Sequence, residues 1–155
     1  RESNLLDGFA HFYDTYECSD NKFIAVGSIE PQFYSELLDK LEIDDKRFQD
    51  QHNKDLWPEL KEIMTLKIKS KSRSEWVDIF SDSDACVSPV LSMDEAQQHP
   101  HNLEREAFIN IDGFNQPNVS PRYSKTTPEI KHNAKEVGAD LDDVCKEFNL
   151  CKDVF

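Results

Sequence analysis

Apolar and polar residues alternate in a short segment near the start of the chain, and this pattern predicts a β-hairpin. The alternating segment runs from His11 to Tyr16, and a second, more apolar segment runs from Phe23 to Val26. Between them lies Ser19-Asp-Asn-Lys22, which consists largely of residues that favour turns. Two such segments joined by a short polar loop are typical of antiparallel strands.

Helical spacing follows the predicted hairpin. Apolar residues recur every three or four positions from Pro31 to Leu41 and again from Leu56 to Lys71. Both segments have a proline in the first turn, where its missing N–H costs nothing. The pattern Ser72-Arg-Ser-Glu75 is a capping box, which predicts that a third, shorter helix starts there.

The middle of the chain is predicted to contain shorter helices and strands. The apolar segment from Ala85 to Leu91 is expected to be extended, and Pro89 limits it to the edge of a sheet. A second capping box, Ser92-Met-Asp-Glu95, predicts a short helix, and one or two helical turns are expected from His101. The segment from Phe108 to Ile111 is interpreted as a strand.

The predicted fold class is α+β, with a short sheet, several helices and a helical hairpin at the end. We assign residues 9–112 to a small α+β domain and residues 113–127, which contain two prolines, to a long connector. Residues 128–155 form the final segment, with helices predicted at 130–137 and 141–150. Gly138 would end the first of these helices, and Asp140 would cap the second.

The composition narrows the class of partner. The 155 residues include 31 acidic and 18 basic side chains, which gives a net charge of -13. Nucleic acid is therefore an unfavourable partner, because phosphate binding needs a basic surface. No apolar segment approaches the roughly 20 residues of a membrane span. The ten phenylalanines are enough for a packed core.

The cysteines and histidines do not form a metal-binding pattern. Cys18, Cys86, Cys145 and Cys151 lack zinc-ligand spacing, so we interpret them as reduced thiols of an intracellular protein. The pair in His99-Pro-His101 could ligate a metal, but without a third ligand nearby a structural role is favoured. We therefore predict no metal site.

One acidic residue lies at a position suited to presenting its charge. Glu30 follows an apolar strand and the small residues Gly27 and Ser28, and it directly precedes Pro31 at a helix start. Its carboxylate is thus expected near the positive end of a helix dipole. The simpler interpretation is an acidic helix start, and the alternative is a carboxylate presented to a partner.

Several motifs occur together in a characteristic order. They are Leu5-Leu-Asp-Gly8, Ala25-Val-Gly-Ser-Ile-Glu-Pro-Gln-Phe-Tyr34, Asp84-Ala-Cys-Val-Ser-Pro-Val-Leu91 and His99-Pro-His-Asn102. In this order they resemble the family III CoA transferases, and within that family the racemases of 2-methylacyl-CoA thioesters. The resemblance extends over residues 5–128 and is looser in the last predicted helices.

The resemblance implies a large Rossmann-like domain, a small α+β domain and an interlocked homodimer with its active site between the domains. This chain is similar to the small domain and the C-terminal return segment. In the racemases, a His and an Asp of the large domain exchange the proton α to the thioester and so interconvert the (R) and (S) forms. Since neither residue has a counterpart here, we expect the chain alone to be inactive. No separate cofactor is implied, because CoA is part of the substrate.

The same resemblance assigns site roles to Glu30, Ile29 and Tyr13. Glu30 is expected to lie beside the catalytic His and to orient and charge it. Ile29 and Tyr13 match positions that border the acyl part of the substrate site, although both could equally be core residues. His101, Asn102 and Arg105 are expected to tie a helical turn to neighbouring loops.

Other interpretations stay open. The chain differs from the family pattern at His11, where a proline is usual. It could instead derive from a CoA transferase, whose Asp nucleophile would lie in the large domain, or be a free-standing acidic interaction module. The Gly27-to-Pro31 turn favours the racemase. The resemblance implies a peroxisomal or mitochondrial location, although we recognise no targeting signal in the chain.

Overall fold

Three antiparallel strands form a sheet in the first part of the chain. The computed structural model describes residues 3–150. Strand β1 is Tyr13–Glu17, β2 is Phe23–Gly27 and β3 is Val87–Val90, in the sheet order β1-β2-β3. Ala25 of β2 is paired with Thr15 on one side and Ser88 on the other. The predicted hairpin and the edge position of the proline-containing strand are confirmed.

The three helices predicted between Pro31 and Phe80 are also present. Helix α1 is Pro31–Lys40, α2 is Trp57–Ile68 and α3 is Arg73–Phe80, with a 3₁₀ helix at Lys46–Gln49. Both α1 and α2 have proline in their first turn. The capping box at the start of α3 forms as predicted, since the side chain of the N-cap serine accepts from the backbone of Glu75 and the Glu75 side chain accepts in return.

The core consists of apolar side chains from these helices and strands and from the residues next to them. Its largest fully buried members are Trp57, Trp76, Phe12, Phe48, Ile24, Leu37, Leu41, Leu60, Met64 and Ile68. Both indole N–H groups are satisfied. Trp57 donates to the carbonyl oxygen of Gln51 at 2.7 Å, and Trp76 donates to that of Ile68 at 2.7 Å. The two tryptophans therefore fill volume and also bond to the backbone of the loop before α2 and of the last residue of α2.

The chain divides into two compact units between Ser92 and Met93. The second unit contains the remaining helices and strands, α4 (Met93–Gln98), α5 (Pro100–Glu104), β4 (Phe108–Ile111), β5 (Phe114–Pro117) and α6 (Leu141–Glu147). The fold class is thus α+β, as predicted. The domain boundaries proposed from the sequence stay predictions.

Strand β5 lies inside the stretch that we predicted to be a long connector. It pairs with β4 in a hairpin in which Ile111 lies opposite Phe114. The two loop residues, Asp112 and Gly113, both have positive φ, at 53° and 86°. An Asp-Gly pair with this backbone is a strong hairpin signal, so the strand could have been predicted from the sequence.

The predicted C-terminal helical hairpin is wrong, because residues 130–137 form no helix. Asn133 accepts from the N–H of Ala134, and His132 contacts the carbonyl of Asn133, so local side-chain hydrogen bonds replace helical ones. Val137 is fully exposed, and a short segment without a buried face is only marginally stable as a helix. Only α6 forms, and the end of its predicted range at Leu150 is not helical.

Three of the four cysteines lie within the described residues. Cys18, Cys86 and Cys145 are free thiols, and Cys151 lies outside the described part. Across residues 3–150, no helix is long and apolar enough to cross a membrane. No group of three potential metal-ligating side chains is found over the same range.

A histidine lies in the core of the first unit. His11 is completely buried among the rings of Phe12, Tyr34 and Phe48, and its Nε2 is 2.7 Å from the Tyr34 hydroxyl. Its other ring nitrogen has no hydrogen-bond partner. Burial lowers the pKa of His11 to about 4, because protonation would place a charge in an apolar site.

We expect this histidine to make the fold sensitive to acid. An unfolded histidine has a pKa near 6.5. As the pH falls from about 6.5 to 4, the unfolded chain therefore takes up a proton that the folded chain excludes, which lowers the free energy of unfolding by about 3 kcal/mol. The variant H11Q should show a flatter pH dependence in urea unfolding. H132Q, at an exposed histidine, should behave as wild type, and equal slopes in all three proteins would contradict the prediction.

Candidate functional site

The turn between β2 and α1 is held by hydrogen bonds from three other segments. Ser28 is fully buried, its N–H donates to the carbonyl of Phe12 at 3.1 Å, and its hydroxyl donates to the carbonyl of Ala85 at 2.5 Å. The side-chain amide of Gln51 donates to the carbonyls of both Ser28 and Ile29, each at 3.0 Å. The turn therefore has little conformational freedom.

This turn presents Glu30 to the exterior. The residue has extended backbone angles, φ −72° and ψ 141°, which the following Pro31 favours. Its carbonyl accepts from the N–H of Tyr34 at 2.9 Å, but its exposed carboxylate caps no N–H of the helix. The charge thus lies at the positive end of a ten-residue helix without being used to cap it.

A groove of about 450 Å³ lies between the sheet and the loop before β1. Its lining includes Gly8, Tyr13, Gly27 and Cys86. Asp14, also in the lining, pairs with Lys61, and the same ammonium group donates to the carbonyl of Gly8. This ion pair neutralises a carboxylate in the groove and holds the loop against it.

The charge of Glu30 acts on the wall of this groove. Cys86 has a positive φ of 54°, and its carbonyl accepts from the N–H of Gly27 at 2.9 Å. Partial desolvation raises the pKa of the Cys86 thiol, and the nearby charges of Glu30, Asp84 and Glu36 raise it further. The thiol therefore stays protonated at neutral pH. The electrostatic potential around it is negative.

The structure places the three predicted site residues in different surroundings. Tyr13 lines the groove, whereas Glu30 lies at the turn beside it. Ile29 is half-buried, packs against the core and does not line the groove. Their functional roles stay predictions.

Two residues that support this site had no clear signal in the sequence. Gln51 lies in a polar stretch with no regular period, and the sequence indicates only that Ser28 is a small residue in a turn. Among the residues interpreted as structural, Asn102 donates to the carbonyl of Ala96 at 2.8 Å and so ties α5 to α4. The partner of Asn102 thus lies in a neighbouring helix, and not in a loop as predicted.

The chain belongs to CoA-transferase family III, whose model matches residues 2–141. It is similar to the alpha-methylacyl-CoA racemase of Mus musculus, with 40% identity over 157 residues, and to that of Homo sapiens, with 37% identity over 158 residues. Each match covers 99% of this chain and 41% of the racemase, so the chain spans less than half the length of these relatives.

A solved structure supports the fold. The crystal structure of Rv3272 from Mycobacterium tuberculosis matches with a TM-score of 0.65 and 17% sequence identity. The match covers 77% of this chain and 34% of the Rv3272 chain. At this level of identity the match establishes a shared fold.

The hydroxyl of Ser28 should contribute measurably to the stability of the turn. In S28A the buried carbonyl of Ala85 loses its donor, which should lower the free energy of unfolding by about 1–2 kcal/mol in urea denaturation. The control is S88A, which removes an exposed hydroxyl from β3. Equal stability of the two variants would show that the hydrogen bond does not stabilise the turn.

Proposed function

We propose that this chain is part of an acyl-CoA racemase that interconverts (R)- and (S)-2-methylacyl-CoA thioesters. The observation that carries the proposal is the turn, held by hydrogen bonds, that presents the carboxylate of Glu30 without using it to cap the helix. Support also comes from the two racemases, which match over 99% of the chain. The proposed role of Glu30 is to orient and charge a catalytic histidine that lies in another part of the complete protein.

The chemistry explains why a carboxylate is useful there. Racemisation exchanges the proton on the carbon α to the thioester, so an acid and a base must act on opposite faces of that carbon. A carboxylate beside a histidine raises the pKa of the imidazole and selects its tautomer. The groove at Tyr13 and the neighbouring Ile29 would border the acyl chain. No separate cofactor is needed, because the thioester itself acidifies the proton.

The second unit supports the proposal that the complete protein is a homodimer with interlocked domains. It leaves many large apolar side chains exposed, namely Met93, Leu103, Phe114, Tyr123, Val144 and Phe148. An interface with a second subunit would cover side chains of this kind. The proposed location, peroxisome or mitochondrion, follows from the resemblance to the racemases.

In the complete protein, E30Q should reduce turnover more than it weakens thioester binding. The substitution keeps the size of the side chain and removes the charge that stabilises the protonated histidine. A change of one to two pKa units on that histidine would lower kcat by at most about 10- to 100-fold, because only part of a pKa change reaches the rate of proton transfer. The rate of α-proton exchange into deuterated solvent, with KM measured in parallel, tests this.

The matched control for E30Q is E62Q, which removes an exposed carboxylate from α2. E62Q should retain the wild-type kcat. If E30Q also retained it, Glu30 would be only an acidic residue at a helix start.

The 155-residue chain alone should not exchange the α-proton of 2-methylacyl-CoA thioesters. General acid–base catalysis needs groups within hydrogen-bond reach of the proton, and the proposed His and Asp belong to another part of the protein. Deuterium incorporation measured by mass spectrometry should match the rate in buffer. Incorporation well above that rate would place the proton-transfer groups within this chain.

A further inference from the structure

Gln51 connects the helical part of the first unit to the turn that carries Glu30. Gln51 is 7% exposed and lies in the loop that follows the 3₁₀ helix. Its own carbonyl accepts from the indole N–H of Trp57, at the start of α2, at 2.7 Å. Because Trp57 is 1% exposed, the loop that carries Gln51 is anchored in the core.

The amide of Gln51 is matched to this turn. A carboxamide nitrogen carries two hydrogens, and here it donates to two successive carbonyls, those of Ser28 and Ile29. The carbonyl of Ile29 lies in the same peptide plane as the N–H of Glu30. Gln51 thereby fixes the orientation of the peptide group between Ile29 and Glu30. Pro31 restricts the backbone on the C-terminal side of Glu30.

We infer that Gln51 is a positioning residue, which sets the direction of the Glu30 carboxylate in the proposed racemase site. This inference rests on the proposed function. Gln51 itself touches neither the substrate nor the reacting atoms. Its effect passes through the backbone of Ile29 to Glu30, so it should be visible only while Glu30 contributes to catalysis.

The test is a double-mutant cycle in the complete protein. Q51M keeps a side chain of similar length but removes both donors, and Q49M makes the same change at an exposed residue of the 3₁₀ helix. Q51M should lower kcat for α-proton exchange by roughly 10- to 100-fold, the scale that follows a misplacement of about 1 Å. KM should stay within about twofold of wild type, and Q49M should retain both parameters.

The combination with E30Q separates positioning from general stability. The double variant Q51M/E30Q should be no slower than E30Q alone. Once E30Q has removed the carboxylate, losing the residue that positions it should have no further effect on the rate. Losses that multiply fully would overturn the inference, and so would wild-type kcat in Q51M. If E30Q itself retained wild-type kcat, the proposed function would fail.

A second measurement tests the structural part on the 155-residue chain without reference to activity. In Q51M, amide hydrogen exchange at Ser28 and Ile29 should become about tenfold faster, while Ala25 in the β-ladder keeps its protection. Unchanged exchange at the turn would overturn the inference. Loss of protection throughout the first unit would overturn it too, because Gln51 would then support the whole fold.

Discussion

The position of Glu30 depends on the hydrogen bonds that hold the buried turn at Ser28. A turn with its serine fully buried is stable only if its polar groups find partners, since an unpaired buried group costs about as much as a lost hydrogen bond. The partners come from Phe12, Ala85 and Gln51, which lie far apart in the sequence. Satisfying one short turn thus links the segments before β1 and β3 with the loop before α2.

That constraint also defines the site. A carboxylate that acts on a neighbouring group through its charge must be held in one place, and it must not be neutralised by a closer cation. Glu30 follows the buried turn directly and its carboxylate caps no helical N–H, whereas Asp14 in the groove is paired with Lys61. As a result, the carboxylates of Glu30, Asp84 and Glu36 produce a negative electrostatic potential around Cys86. A protonated imidazole carries a positive charge, which such a negative potential stabilises.

Short-range sequence patterns predict the structure correctly where that structure is determined locally. The hairpin of β1 and β2, the proline-started helices and the capping box at Ser72 all follow from short-range patterns, and all are present. The position of Glu30 at a strand-to-helix turn was likewise predicted. The helix at 130–137 failed because its residues have no surface to pack against and form local side-chain hydrogen bonds instead.

The supporting contacts could not be predicted in the same way. Gln51 meets Ser28 across more than 20 positions, and nothing in the polar stretch around it indicates a buried amide. Strand β5 is a different case, because Asp112 and Gly113 carried a signal that the prolines after them obscured. The local sequence therefore indicated that Glu30 is presented at a turn. Only the folded chain shows that Gln51 holds that turn.

The most direct test of the central claim is the pKa of the histidine proposed to lie beside Glu30 in the complete protein. An NMR titration of the imidazole signals would measure it in wild type and in E30Q. The charge of Glu30 should hold that pKa about one to two units higher in the wild-type protein than in the variant. Identical imidazole titrations in the two proteins would contradict the claim that this chain supplies the charge of the racemase site.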